Sequence, residues 1–215
     1  MSDYDEAAPG YDKRFTRPID GWEDEHLADL LRPAVAGRDV LDLGCGTGWV
    51  ADHCSPARYT GADCSAGMLA ELSRKHPGAE TVKVAVGSRG WTAMLPPGRP
   101  FVVTATWSLE YLGDLAELLA ALRMITAPGG LLVLHGSMPR GHRRAHFSVK
   151  EAPWEAIGPP QVRYASLAAG LRPPACTGTS ALPDGLAHLG RLAWRAALAA
   201  PAGMHYAALW TWRLP

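Results

Sequence analysis

The sequence predicts an α/β chain, a three-layer sandwich with helices on both faces of a mainly parallel sheet. Between Asp39 and Gly136 short β-branched or apolar runs alternate with helical patterns, the rhythm of successive βαβ units. The first of these runs passes directly into a glycine-rich turn and then a helix. At 215 residues the chain is long enough to bury one core without disulfides or metal, so a single unit spanning 1–215 is expected.

Taken in order, the opening segment offers a helix after Asp20, where Leu27, Leu30 and Leu31 line one face and Pro33 is expected to end it. The clearest strands follow at Val40–Leu43, Arg58–Ala62, Thr81–Val86, Phe101–Thr106 and Leu131–His135. Between the last two, Asp114 and Glu117 have capping-box spacing, and Leu115, Leu118, Leu119 and Leu122 repeat at helical intervals. Pro128-Gly129-Gly130 closes that helix. Residues 136–160 mix Gly, Pro, Trp and basic side chains without periodicity and read as a long functional loop. A short helix around Tyr164–Ala169, an Ala- and Leu-rich helix from about Asp184 to Ala199, and an aromatic strand His205–Arg213 complete the chain.

Composition excludes several function classes. With 21 basic and 21 acidic side chains the long-range field is weak, which argues against a nucleic-acid binder. No run of eighteen apolar residues exists to span a membrane, and the first thirty residues carry none of the pattern of a signal peptide. Cys45, Cys54, Cys64 and Cys176 lack both zinc-ligand pairing and the density of a disulfide scaffold, so free thiols in a reducing, cytoplasmic setting are expected and no metal is called for.

The chemistry concentrates in Val40-Leu41-Asp42-Leu43-Gly44-Cys45-Gly46-Thr47-Gly48. A glycine-rich turn at the carboxyl end of a first parallel strand lies where open α/β sheets bind ligands, and it lets backbone come close to a nucleotide-like molecule. The dinucleotide fingerprint G-x-G-x-x-G requires a third glycine at the position of Trp49, so pyrophosphate is a poor fit. Asp42, two residues before Gly44, suits a cationic ammonium instead. Twenty-one residues further on, Asp63 ends the second strand, where a carboxylate accepts from both hydroxyls of a ribose.

These segments resemble the class I S-adenosylmethionine-dependent methyltransferase family from about residue 38 to 136, most closely over Leu41–Gly48. Ser65-Ala66-Gly67-Met68-Leu69 and Leu122–Gly130 are similar to two further segments of that family. The resemblance implies seven strands with the last antiparallel. It also implies a helical cap over 1–36, a cofactor-binding core over 37–136 and an acceptor-side portion over 137–215. S-adenosylmethionine is the implied cofactor and S-adenosylhomocysteine its product. The implied cofactor contacts are Tyr11 from the cap, Asp42, Gly44, Cys45, Gly46 and Gly48 from the first turn, and Asp63, Cys64 and Met68 around the second strand. Ser88 and Arg89 follow the third strand, where the family usually places an acidic residue, and Thr106 and Trp107 follow the fourth.

Two residues are candidates for the transfer step. His135 is expected to face the reaction as a general base, against the alternative of a packed, hydrogen-bonded histidine. Glu110 is expected to orient an amine or cationic acceptor, against the alternative of favouring a helix amino terminus. Arg140, Arg143 and Arg144 offer a clamp for an anionic acceptor, or a solvated charge run. The expected activity is methyl transfer to nitrogen or oxygen of a small molecule, by a monomer or homodimer, working mainly through proximity and orientation. The alternatives are a protein that binds the cofactor without methyl transfer, as a cyclase or regulatory module, and a nucleic-acid methyltransferase. The latter is disfavoured because no Asn/Asp-Pro-Pro-Tyr segment follows the fourth strand.

Overall fold

The computed structural model describes residues 3–137, 158–180, 190–199, 205 and 207–215. The strands are β1 (Asp39–Leu43), β2 (Arg58–Asp63), β3 (Glu80–Lys83), β4 (Val102–Ala105), β5 (Leu131–Ser137), β6 (Ala175–Ser180) and β7 (Ala207–Arg213). The helices are α1 (Asp3–Ala7), α2 (Pro18–Val35), α3 (Trp49–Cys54), α4 (Ala66–Lys75), α5 (Leu115–Ile125), α6 (Pro159–Ala168) and α7 (Gly190–Ala197). One seven-stranded sheet runs in the order β3-β2-β1-β4-β5-β7-β6. β1 to β5 pair in parallel, and β7 alone is reversed, antiparallel to both β5 and β6.

Strand alternation divides the core into two layers. Val40, Val102, Leu131 and Val133 face one side, where Leu27, Leu31 and Val35 of α2, Val50 of α3, and Leu69 and Leu72 of α4 cover them. Leu41, Leu43, Val103, Leu132 and Leu134 face the other, under Leu118, Leu119 and Leu122 of α5 and Val162 and Ala165 of α6. Because β1 and β4 are neighbours while β2 and β4 leave β1 on opposite sides, a crevice opens at their carboxyl ends.

Several boundaries differ from expectation for physical reasons. α2 continues through Pro33 to Val35, because proline in the last turn forfeits one hydrogen bond at a solvent-exposed position while Leu31 and Val35 remain fully buried. β3 ends at Lys83, since β2, its only partner among the described residues, stops at Asp63. β5 extends two residues past His135 because β7 pairs with it as far as Ser137. β6 has no apolar run to announce it; its sequence Ala-Cys-Thr-Gly-Thr-Ser forms an edge that, among the described residues, pairs only with β7. α6 begins at Pro159, where two prolines fill the first turn, so the expected loop closes earlier at that end. Most of that loop, with Arg140, Arg143 and Arg144, lies outside the described residues, as does the first part of the helix expected from Asp184. Among the described residues no helix is long and apolar enough to cross a membrane.

Candidate active site

The crevice floor is the turn between β1 and α3. Gly44, Gly46 and Gly48 all adopt left-handed backbone, with φ of 63°, 52° and 96°. At Gly44 a Cβ atom would come within 2.5 Å of the Ser108 side chain, which itself donates to the Leu43 carbonyl at 2.8 Å. A Cβ at Gly46 would meet nothing within 4 Å, so this is where backbone faces open space.

Asp63 at the end of β2 is tied to that turn. Its Oδ2 accepts from the Gly46 amide at 2.9 Å and its Oδ1 from the Ser65 amide at 2.8 Å. Burial raises its carboxyl above the usual range, and the amides of Ser65, Gly46 and Cys64 oppose the rise.

Asp42 occupies a different place from the one expected. It is 1% exposed, beneath the turn, with Oδ2 accepting from the Tyr59 hydroxyl at 2.6 Å and Oδ1 from the Thr104 hydroxyl at 2.7 Å. Burial pushes its carboxyl up to about 6 against those two hydroxyls, and Asp63 adds to the rise. The direct ammonium contact is therefore corrected to a buried negative charge under the floor. Register explains the arrangement: Thr104 lies directly across from Asp42 on β4, and its β2 neighbour is Gly61, two residues along the strand from Tyr59.

Cys45 also turns inward. It is 5% exposed, its sulfur lies 2.8 Å from where a Cβ of Gly61 would be, and burial raises its thiol well above the ordinary value. Its side chain is corrected from ligand contact to core packing, which leaves its backbone on the turn. Met68 is 2% exposed and offers no free face to an adenine ring in this conformation. Cys64 is exposed beside Asp63, and Ser88 and Arg89 are exposed after β3. The latter two line a 270 Å³ depression together with Asp114 and Glu117 of the α5 amino end. A larger groove of 940 Å³ lies at the opposite, amino ends of β1, β2 and β3, away from these groups.

The cap covers the crevice with aromatic side chains. The ring of Tyr11, in a short 3-10 turn, stands 6.3 Å from Tyr4 and 5.3 Å from Phe15. Burial, then Tyr4 and Asp63, push the Tyr11 hydroxyl up to about 12. Tyr4 is raised in the same way and is hydrogen-bonded to Tyr111, which follows β4. The structure thus brings Tyr11, Asp63 and the glycine turn together.

Beyond β4, Thr106 is nearly buried, whereas Trp107 is 41% exposed with a φ of 58°, an uncommon conformation for a bulky residue. Its indole stands edge-on to His135, with centroids 4.2 Å apart. His135 is fully buried, its Nε2 lies 2.8 Å from the Thr179 hydroxyl, and burial drives its pKa down to about 3. Full burial and the Thr179 contact favour the packed, hydrogen-bonded histidine over the general base. Glu110 does not begin a long helix; it sits in a 3-10 turn and its Oε1 accepts from the Ser137 amide at 2.6 Å, which ties the β4 loop to the end of β5. Tyr59, Thr104 and Thr179 escaped sequence reasoning because only strand register brings them to these partners, and Tyr111 because its partner Tyr4 lies in the cap.

A family model described as a methyltransferase domain matches residues 17–158. The chain belongs to the methyltransferase-domain family. Within this domain the matched residues include the glycine turn, Asp63 and the β4 end. Trans-aconitate 2-methyltransferase of Paracidovorax citrulli is 35% identical over 134 residues, covering 59% of this chain and 50% of that protein. The Variovorax paradoxus protein of the same name is 31% identical over 158 residues, covering 69% and 56%. The chain spans about half the length of the curated relatives it matches. Among solved structures, the CcbJ methyltransferase from Streptomyces caelestis superposes with a TM-score of 0.66 at 19% identity, covering 100% of this chain and 99% of that one, which shows a shared fold.

Proposed function

We propose that this methyltransferase domain uses S-adenosylmethionine to methylate nitrogen or oxygen of a small molecule, with carboxylate-bearing acceptors first in line. The observation that supports it best is the bond from Gly46 to Asp63, which fixes a ribose-binding carboxylate 2.9 Å from the amide of an open glycine turn. The trans-aconitate 2-methyltransferase relatives favour a carboxylate acceptor. Arg140, Arg143 and Arg144 are the candidate cations for it, a reading that rests on sequence alone.

The bound cofactor would supply an electrophilic methyl group on a sulfonium. The chain's own contribution is to bind, orient and exclude water. Asp63 takes the ribose hydroxyls, the Gly44–Gly48 backbone lies against the methionyl portion, and Tyr11 closes over it. Asp42 places negative charge below a cationic ligand, and Thr106 and Trp107 border the acceptor side. Cys64, Ser88 and Arg89 are left to contact the adenosine from exposed turns. No residue here is assigned the role of base; an acceptor with an available lone pair needs only alignment. The domain acts as one unit over 1–215, in a cytoplasmic setting.

The test is direct. Calorimetry with S-adenosylmethionine should show binding that weakens by about 1–3 kcal/mol in Asp63→Ala, the cost of losing hydrogen bonds to a charged acceptor. Mass spectrometry should show S-adenosylhomocysteine released in the presence of trans-aconitate or a related small carboxylate. Uptake of NAD with indifference to S-adenosylmethionine would overturn the cofactor reading.

A further inference from the structure

At each end of α4 a carboxylate from the first turns of the cap fastens it to the core. At its amino end, Asp5 Oδ1 accepts from the Ser65 hydroxyl at 2.7 Å and the Gly67 amide at 2.9 Å. Gly67 permits this approach, because a Cβ there would fall 2.9 Å from the Asp5 carbonyl. At the carboxyl end, Asp12 Oδ1 accepts from the Thr47 hydroxyl of the glycine turn at 2.5 Å, and Asp12 Oδ2 meets Lys75 Nζ at 2.9 Å. Lys75 is itself held by Asp52 at 2.6 Å, and Asp52 reaches His76 at 2.7 Å. Tyr11, whose hydroxyl is raised in part by the Asp63 charge, is the immediate neighbour of Asp12.

We propose that the Asp12–Lys75 ion pair is the positioning latch of the cofactor site: it holds the Tyr11 segment against the glycine turn and sets how fast S-adenosylmethionine enters and its product leaves. The inference deepens the cofactor reading and rests on it. The geometry sets the two fastenings apart. Asp5 binds a hydroxyl and an amide at the start of a helix, where the helix dipole also favours it. Asp12 instead depends on a lysine whose ammonium is shared between two carboxylates from different elements. Lys75 is only 18% exposed while Asp12 is 53% exposed, so the pair sits at the rim, where salt reaches it. Thr47 makes the coupling specific, since the same carboxylate that binds Lys75 also grips the turn the ligand must touch.

A latch closed both with and without ligand slows entry and exit by the same factor and leaves affinity unchanged. A simple ligand contact slows only exit. Stopped-flow measurement of S-adenosylhomocysteine binding distinguishes these cases in wild type, Asp12→Asn, Lys75→Met and Lys75→Arg. Asp12→Asn and Lys75→Met should raise both association and dissociation rates about two- to fivefold, the range carried by a partly exposed ion pair. Affinity should stay within about threefold. Lys75→Arg should restore near wild-type rates. Raising the salt to about 0.5 M should move wild type toward Lys75→Met and leave that variant where it is. Unchanged rates, or a rise in dissociation alone with affinity falling in step, would overturn the latch. Hydrogen exchange of residues 3–14 gives a readout without ligand: protection should fall in both variants, and undiminished protection refutes the latch even if wild type fails to bind S-adenosylhomocysteine. That failure by itself would instead refute the cofactor reading.

Discussion

A carboxylate two residues before a glycine-rich turn can face outward, toward a ligand, or inward, into the sheet, and strand parity decides which. Asp42 shares its face with Val40, so it points into the layer under α2 and is met by Thr104 and Tyr59. Its motif position was readable; its partners were not, because Thr104 lies 62 residues away and only the β1–β4 register brings it alongside. The raised pKa has a stability consequence of definite sign. A carboxyl shifted from 3.8 to about 6 favours folding most when protonated, so its contribution is full below pH 3.8 and lost as pH rises through 6. Two units correspond to about 3 kcal/mol. Asp42→Asn keeps a hydrogen-bonding group of the same shape without the charge. Denaturant unfolding at pH 4.5 and 7.5 should therefore show the variant gaining on wild type by about 2 kcal/mol at the higher pH, while its affinity for S-adenosylmethionine falls. A difference between variant and wild type that does not change with pH would show that Asp42 carries no such shift. His135 teaches the same lesson. Its place on β5 was legible, but its neutrality follows from complete burial beside Thr179, on a strand with no sequence signal.

Elements whose ends are stabilised locally were the most readable. α5 starts where Asp114 accepts from the Glu117 amide at 2.9 Å, the half of the capping box that its spacing announces, and it stops before Pro128. Asp114→Ala should cost about 1 kcal/mol in thermal or denaturant unfolding and leave cofactor affinity nearly unchanged, since Leu118, Leu119 and Leu122 still bury the helix. A loss above about 3 kcal/mol would mean that the helix start supports more than itself. The cap was legible only as a helix and a tyrosine. Its attachments, Asp5 to Ser65 and Gly67, Asp12 to Thr47 and Lys75, join residues 35 to 63 positions apart, which no periodicity encodes. α2 shows the reverse error, in which a local rule was read too strictly. Pro33 does not break the helix, because buried Leu31 and Val35 hold a last turn that has only one hydrogen bond to lose.

Across the whole molecule, the alternation of runs between Asp39 and Gly136 was enough to indicate a parallel sheet with helices on both sides, while the reversal of β7 and the existence of β6 came from resemblance or not at all. The same topology makes ligand binding a whole-molecule event. The proposed cofactor site takes residues from the ends of β1, β2 and β4 and from the cap. Unfolding must separate all four, and the unfolded chain offers no comparable site. Ligand that binds only the folded state then stabilises it by RT ln(1 + [L]/Kd), about 2.7 kcal/mol at a hundredfold excess over Kd. For a domain of this length each kcal/mol moves the midpoint by roughly 2–4 °C, so saturating S-adenosylhomocysteine should raise Tm by roughly 5–10 °C. Differential scanning calorimetry checks the value, with NAD at equal concentration expected to leave Tm within about 1 °C because Trp49 stands where a dinucleotide turn needs glycine. In Asp63→Ala the shift at the same ligand concentration should shrink by the 1–3 kcal/mol lost in affinity, to about two-thirds or less. A full shift in that variant would mean that the ribose is held elsewhere and that the Gly46–Asp63 bond only braces the sheet.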